Sequence, residues 1–156
     1  MKPNTYQRSI TIVYASLAFG QVALGGLALF NRLMGNGSAA DPVLTTALSI
    51  VVPFVSLMAL LLAFFLFRMK RKAAASRETF DSKLAEYRVA CLLRWTLLEF
   101  PAFLSLVAYF ISGALLFAGL AGIMFVLFLS TIPSSSKTIS DLQLNFEESE
   151  QLNIPQ

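Results

Sequence analysis

Two polar side chains, Glu99 and Gln21, lie inside long apolar runs. A charge at the centre of a membrane span costs about 2.5 to 3.5 kcal/mol on insertion scales, so such a group needs either a partner or a function. Both residues fall near the centres of predicted spans that cross in the same direction, so we expect them at similar depth. The small residue Ala102 shares the helical face of Glu99, which predicts that Glu99 points into a helical bundle and pairs with the Gln21 amide.

Three interpretations of Glu99 stay open at this point. It is a satisfied buried carboxyl that fixes helix register, a proton- or cation-binding carboxylate, or a group that contacts lipid or a partner subunit. Arg94 precedes it by five residues, about 140° around a helix, so an ion pair within the helix is not expected. Arg94 is instead expected to reach the lipid head groups. Arg88 lies on the Glu99 face but about 16 Å along the axis, too far for a pair.

The residue types that carry most enzyme chemistry are scarce. The chain has no His, and Cys91 is its one Cys, so a nucleophile–base pair, a metal cluster and an intrachain disulfide are not expected. No Gly-rich phosphate loop is present. The sequence therefore predicts a non-enzymatic protein with no catalytic residue, metal site or cofactor.

The composition is typical of a membrane protein, with 56% hydrophobic and 13% charged residues. Soluble domains average about 25% charged. The apolar blocks predict an all-α integral membrane bundle of four transmembrane helices over residues 1–132, with a cytoplasmic amphipathic helix before the third span. The four predicted spans cover residues 10–30, 43–67, 89–111 and 114–132.

The first span has a secretory signal peptide as its rival interpretation, with residues 37–40 as the cleavage site. Its apolar region is longer than the usual ~7–15 residues and contains Gln21, which favours a retained span. Small or polar residues share one helical face of this span, which predicts that this face packs inside the bundle. These residues, together with one tyrosine, are Tyr14, Ala18, Gln21, Gly25 and Ala28.

Two prolines are predicted to bend their helices. Pro53 lies inside the second span, where Ser49 and Ser56 are expected to help satisfy the freed backbone. Pro101 follows Glu99 and leaves the carbonyl of Leu97 without its helical donor. At the start of the second span, Asp41 and Pro42 are typical of a helix cap and a first helical position.

A basic cluster and an amphipathic connector occupy residues 68–88. Arg68, Lys70, Arg71 and Lys72, with Arg88 and Arg94, are predicted to set topology and to contact anionic lipid head groups. Nucleic-acid binding is the alternative for the cluster, and nothing else in the sequence supports it. An apolar stripe in and after the connector predicts an amphipathic helix that continues directly into the third span. Its members are Phe80, Leu84, Tyr87 and Cys91.

The third and fourth spans are separated only by Ser112 and Gly113, which predicts a tight antiparallel hairpin. Small residues on the third span are expected to pack against a small stripe on the fourth. The two sets are Ala102, Ser105 and Ala108, and Ala114, Ala118 and Gly122. Residues 133–156 form a polar tail, which we expect to be cytoplasmic and poorly ordered.

Orientation follows from the Lys and Arg residues, of which the chain has 12. Only Arg32 falls on the side opposite the termini when Arg94 is assigned to its own end of the third span. The positive-inside rule therefore predicts both termini in the cytoplasm.

The stretch from Lys83 to Leu144 resembles an uncharacterised family of small bacterial four-helix membrane proteins. The shared pattern is a Tyr-Arg pair, Arg-x-x-Leu-Leu-Glu-x-Pro-Ala-x-Phe and a terminal Asp-Leu-x-Leu. Here it reads Tyr87-Arg88, then Arg94 to Ala102 with Phe103 one position before the Phe of the pattern, and Asp141 to Leu144. Phe100 replaces a usual Gly, and Ile132-Pro133-Ser134 replaces Arg-Pro-Thr. The resemblance implies a bacterial inner-membrane location and no known activity.

A second resemblance is to the four-helix proteolipids of rotary ATPases, which also carry a mid-membrane carboxylate. Those proteins are rich in Gly and Ala, whereas this chain has eight Gly and many aromatic residues. The leading hypothesis is an accessory or scaffold subunit that contacts lipid and either a partner membrane protein or further copies of itself. The alternative is proton- or cation-coupled transport, or a proteolipid-like role, that uses Glu99.

Overall fold

A computed structural model describes residues 3–34 and 41–153, which fold into helices and contain no strand. The helices are α1 (Pro3–Leu33), α2 (Pro42–Ala75), α3 (Phe80–Ser112), α4 (Leu115–Leu129), α5 (Ser135–Leu142) and α6 (Phe146–Asn153). This confirms the predicted all-α class and the helical bundle. The rival cleavage site at residues 37–40 lies outside the described residues.

Three of the helices, α1, α2 and α3, are long and apolar enough to cross a membrane. Helix α4 is apolar but has only 15 residues, fewer than the predicted span of residues 114–132. Large apolar side chains point outward from the bundle, among them Phe19, Phe54 and Phe65. A surface of this kind is suited to lipid rather than water, which fits a multi-pass membrane protein.

The start of α2 has the chemistry that the sequence predicts. The Asp41 carboxylate accepts a hydrogen bond of 2.9 Å from the Val43 amide, and Pro42 is the first residue of α2. Helix α2 continues through the basic cluster to Ala75, although its apolar part ends at Phe67. After a short turn, Thr79 caps α3.

From Phe80 onward the amphipathic connector and the predicted third span form one continuous helix, α3, as expected, whereas residues 68–75 of the connector belong to α2. Three members of the predicted stripe are buried and the fourth is half-buried. The buried members are Leu84, Tyr87 and Cys91. The stripe therefore packs inside the protein.

The turn between α3 and α4 depends on Gly113. Its φ of 65° is left-handed, and its amide donates a 2.7 Å hydrogen bond to the Tyr109 carbonyl. The Arg32 guanidinium lies where a Cβ would project. A side chain at residue 113 would therefore meet backbone strain and would displace the flexible end of the exposed Arg32.

Helix α3 lies at the centre of the bundle, packed against α1, α2 and α4. The predicted inner face of α1 is confirmed at Tyr14, Gln21 and Ala28, which are all buried. Tyr14 stacks on Phe128 of α4 at 4.7 Å between ring centroids and meets Trp95 of α3 edge-on at 5.2 Å. This aromatic cluster joins three helices at one level.

The face of α4 that is most buried differs from the predicted small stripe. Gly122 is exposed, and a Cβ added there would meet open space. The buried residues are instead Phe117, Ala121, Met124 and Phe128. The small residues predicted on α3 are buried as expected, and Ala108 packs in one apolar cluster with Phe117 of α4.

The expectation of a poorly ordered tail is wrong for residues 135–153, which form α5 and α6. Leu142 is 1% exposed and belongs to the main apolar core. The Gln7 amide nitrogen of α1 donates a 2.6 Å hydrogen bond to the Ser135 hydroxyl. Apolar burial and polar contacts therefore hold a segment whose composition alone indicated mobility.

Candidate functional site

Glu99 lies on α3 and is 8% exposed, so the prediction that it points into the bundle is confirmed. Within the described residues its carboxyl group has no hydrogen-bond partner and no ion-pair partner. The predicted hydrogen bond to Gln21 is wrong, since both amide atoms of Gln21 are buried without a partner. Gln21 lies instead in a cavity beside Ala102 and Leu106, which follow Glu99 by one and two turns of α3.

We call this cavity the groove. It has a volume of about 400 Å³ and lies between α1, α3 and α4. Its walls are almost entirely apolar and include the small residues Gly25, Gly26, Ala118 and Gly122. Gln21, only 3% exposed, is the one amide side chain in this lining. The groove therefore combines room for close approach with a polar group that the described part of the chain leaves unpaired.

The two prolines lie inside α2 and α3, where the sequence places them. The neighbouring hydroxyls do not play the expected part. Ser49 donates to the Thr45 carbonyl at 2.8 Å, and the buried Ser56 hydroxyl has no partner. Near Pro101, Ser105 donates 2.7 Å to the Pro101 carbonyl. The bends at Pro53 and Pro101 remain predictions.

A polar cluster joins three helices at the end of the bundle that carries the basic residues, which we call the basic end. Asp141 of α5 accepts 2.7 Å hydrogen bonds from the Arg71 guanidinium of α2 and from the Tyr87 hydroxyl of α3. Tyr87 is 4% exposed. Both carboxylate oxygens of Asp141 are thus used, and α5 is fixed across α2 and α3.

Arg94 does not extend freely toward head groups. Its guanidinium carbon lies 4.9 Å and 4.7 Å from the ring centroids of Phe64 and Phe67 on α2. Such cation–π contacts contribute about 0.5–2 kcal/mol each. Among the described residues no carboxylate pairs with Arg94, and its buried Nε has no acceptor.

Arg94 also lines a second cavity, which we call the basic pocket. It has a volume of about 310 Å³ and lies where α2, α3, α5 and the segment after α4 meet. Arg71, Lys137 and Asp141 line it as well, together with Trp95. Three cationic side chains thus face one carboxylate.

The other predicted basic residues lie at the same end. Arg68 and Lys72 are exposed, and Lys70 and Arg88 are half-buried, so their contact with head groups stays a prediction. Lys83 pairs with Glu148 of the tail at 2.8 Å. The hydrogen bond from Lys83 holds the pKa of Glu148 below its usual value of 4.5.

Sequence reasoning missed the roles of Tyr87 and Asp141 as partners. Tyr87 was assigned to an apolar stripe, and Asp141 to a mobile tail. The one signal that contained both was the family resemblance, because its Tyr-Arg pair and its Asp-Leu-x-Leu ending include these two residues. Their 2.7 Å hydrogen bond gives two parts of that pattern a common structural purpose.

The fold and these contacts define a helical, multi-pass class of membrane protein. Comparisons of the chain with known protein families, with curated proteins and with solved structures gave no match. The resemblance described above therefore stays a prediction.

Proposed function

We propose that this chain is a non-enzymatic accessory subunit that binds a transmembrane helix of a partner membrane protein in the groove. The observation that carries this proposal is Gln21, a buried amide in the groove wall with neither of its polar atoms paired. In hydrocarbon no water is present to satisfy such a group, so an unpaired amide costs several kcal/mol. A partner that supplies a polar side chain at this depth removes the cost.

The chemistry of the groove favours a helix over a lipid chain. An acyl chain fills apolar space but offers no hydrogen bond to Gln21. Small residues such as Gly25 and Gly122 let two helix backbones approach closely, as interfaces in membranes commonly require. A helix with one polar residue therefore matches both features of the groove.

The shape of the groove favours a different protein over a second copy placed face to face. Gln21 is 3% exposed and lines a concave surface. In a two-fold dimer the same concave surface would face itself, so the two Gln21 amides could not meet. We therefore assign the groove to a partner helix.

Site-specific photo-crosslinking tests this assignment. A photoreactive residue replaces Gly122 at the groove, and in a matched control it replaces the exposed Phe65 on α2. We expect the residue at 122, and not at 65, to label a membrane span that contains a polar side chain. Gln21→Leu should reduce this labelling strongly. Labelling of a second copy of this chain, or labelling of another span that persists in Gln21→Leu, would contradict the proposal.

We further infer four spans, with both termini in the cytoplasm of a bacterial cell. The contacts of α5 with Arg71 and Tyr87 support this, because α4 must run from the Gly113 turn back to the basic end. The Lys and Arg distribution supports the orientation. Reporter fusions after Gln156 and within residues 36–40 should report cytoplasm and exterior respectively. An exterior reading after Gln156 would refute it.

A second candidate function is proton- or cation-coupled transport through Glu99, in the manner of a proteolipid. The burial of this carboxyl without a hydrogen-bond partner favours it. Glu99→Gln keeps the shape and removes the titrating group. If the protein assembles normally with this substitution and proton-dependent uptake or growth is lost, transport is supported. If function is retained, Glu99 is structural.

A further inference from the structure

The geometry points to a phosphate-binding site in the basic pocket, formed by Arg94, Arg71 and Lys137. These residues come from α3, α2 and α5, so the site exists only when the tail helix is docked on the bundle. The ligand class is a phosphate group, presented either by the head group of an anionic lipid or by a free phosphate. This inference is independent of the groove and of the partner proposed for it.

The cationic residues of the pocket are unequally neutralised. Arg71 has Asp141 as its partner, and the Lys137 ammonium donates to the Ser130 and Ile132 carbonyls at 3.1 and 3.3 Å. Arg94 forms no ion pair among the described residues, and Asp141 acts on it only at longer range. One carboxylate therefore faces three cations, which leaves positive charge in excess in the pocket.

Arg94 is held in a way that suits anion binding. The rings of Phe64 and Phe67 fix the plane of its guanidinium from the α2 side. A planar guanidinium with free N–H groups can donate two parallel hydrogen bonds to phosphate oxygens, which an ammonium cannot do. The side chain therefore requires little reordering when it binds.

The pocket also lies where a lipid phosphate would be found. Arg71, which lines it, follows the end of the apolar part of α2 at Phe67, and its side chain is 37% exposed. Basic pockets between helices on the cytoplasmic side are a recurrent way to hold lipid head groups. The approximately 310 Å³ of space is ample for a phosphate and its ester substituents.

The sole tryptophan of the chain provides a local readout, since Trp95 is itself part of the pocket lining. The full-length protein in an uncharged detergent is titrated with phosphatidylglycerol, with zwitterionic phosphatidylcholine and with inorganic phosphate. Trp95 emission reports occupancy, and native mass spectrometry counts retained lipid. We expect a saturable response to phosphatidylglycerol and a much weaker one to phosphatidylcholine, because the choline cation offsets the charge of its phosphate. A response to inorganic phosphate at similar concentration would identify free phosphate as the ligand.

Arg94→Gln should weaken binding at least about tenfold, because a hydrogen-bonded charge is removed. Arg94→Lys should recover only part of the affinity, because the ammonium lacks the planar fork. The matched control is Arg8→Gln, which removes one charge from the exposed part of α1 outside the pocket and should leave binding unchanged. Lys137→Gln tests the site from a second helix if Arg94→Gln fails to fold.

Two results would overturn the site. The first is the absence of a saturable response to either phosphate source in the wild-type protein. The second is an equal loss of affinity in Arg8→Gln and Arg94→Gln, which would mean that the general positive charge of this end, rather than the pocket, attracts anions.

Discussion

The basic end and the groove differ in how their polar groups are used. At the basic end, both oxygens of Asp141 accept hydrogen bonds and the Tyr14 hydroxyl donates to the Phe128 carbonyl at 3.3 Å. In the groove, the Gln21 amide has no partner in the described part of the chain. The Asp141 and Tyr14 side chains thus hold helices together at the basic end, whereas the buried Gln21 amide joins no helices in the described residues. Arg94 at the basic end resembles Gln21, because its Nε has no acceptor in the described residues and its side chain lines a cavity.

Trp95→Ala should have the largest effect, because it removes a side chain that is 1% exposed from the aromatic cluster of the basic end. We expect a loss of about 3–5 kcal/mol in the free energy of unfolding, from a cavity that the rigid neighbours cannot fill. Gly122→Ala is the control in the groove, where the added Cβ meets open space, and it should change stability by less than about 0.5 kcal/mol. Far-ultraviolet circular dichroism in detergent measures both. Equal losses would remove the distinction between the two regions.

Asp141→Ala should cost about 2 kcal/mol, since it leaves the buried Tyr87 hydroxyl without its acceptor and Arg71 without its carboxylate. The loss should be localised, with faster hydrogen exchange and proteolysis in α5. Glu150→Ala removes an exposed charge of the same tail and serves as the control. Unchanged protection of α5 in Asp141→Ala would show that apolar burial alone holds the tail.

The spacing of residues along the sequence predicted which faces of the helices are buried. Three- and four-residue spacing identified the buried face of α1, and the stripe from Phe80 to Cys91 identified the inner face of α3. The contact between Tyr87 and Asp141 was beyond reach because it joins residues 54 apart and each has an ordinary local role. This contact becomes visible only when the position of α5 on the bundle is known.

The incorrect predictions for the buried face of α4 and for the Gln21–Glu99 pair have a shared physical cause. Depth and helical face follow from spacing, but the rotation of packed helices depends on how large side chains fill space. The bulky Phe117 and Phe128, rather than the small stripe, determine which side of α4 is most buried. The same freedom places the Gln21 amide beside Ala102 in the groove instead of within hydrogen-bond reach of Glu99.

Gly113→Ala tests the end of the bundle next to the groove. A left-handed φ costs a residue with a Cβ about 1–2 kcal/mol, and the Arg32 guanidinium would have to move as well. Arg32→Ala in the same chain should recover the part that comes from the clash and leave the backbone part. Thermal unfolding of the single and double variants in detergent separates the contribution of the clash from that of the backbone. Full recovery in the double variant would mean that the turn can adopt another backbone conformation.

Gln21→Leu should give the smallest change in stability, and its sign should be opposite to that of its control. Because neither amide atom is paired, its replacement by an apolar side chain should leave the isolated protein unchanged or stabilise it by up to about 1 kcal/mol. The matched control is Gln7→Leu on the same helix. The Gln7 amide nitrogen donates 2.6 Å to Ser135 at the basic end, although its buried oxygen has no partner, so this variant should lose up to about 1 kcal/mol.

A clear loss of stability in Gln21→Leu would mean that the amide has a partner within the chain, and Glu99 is the partner that its depth favours. A double-mutant cycle with Glu99→Leu decides this, because two groups that contact each other give a coupling energy and two independent groups do not. Interhelical hydrogen bonds in membranes average about 0.6 kcal/mol, so a coupling near that value would restore the predicted pair. Coupling near zero, together with stability that rises in Gln21→Leu while crosslinking at residue 122 falls, would show that Gln21 serves a partner at the expense of the fold.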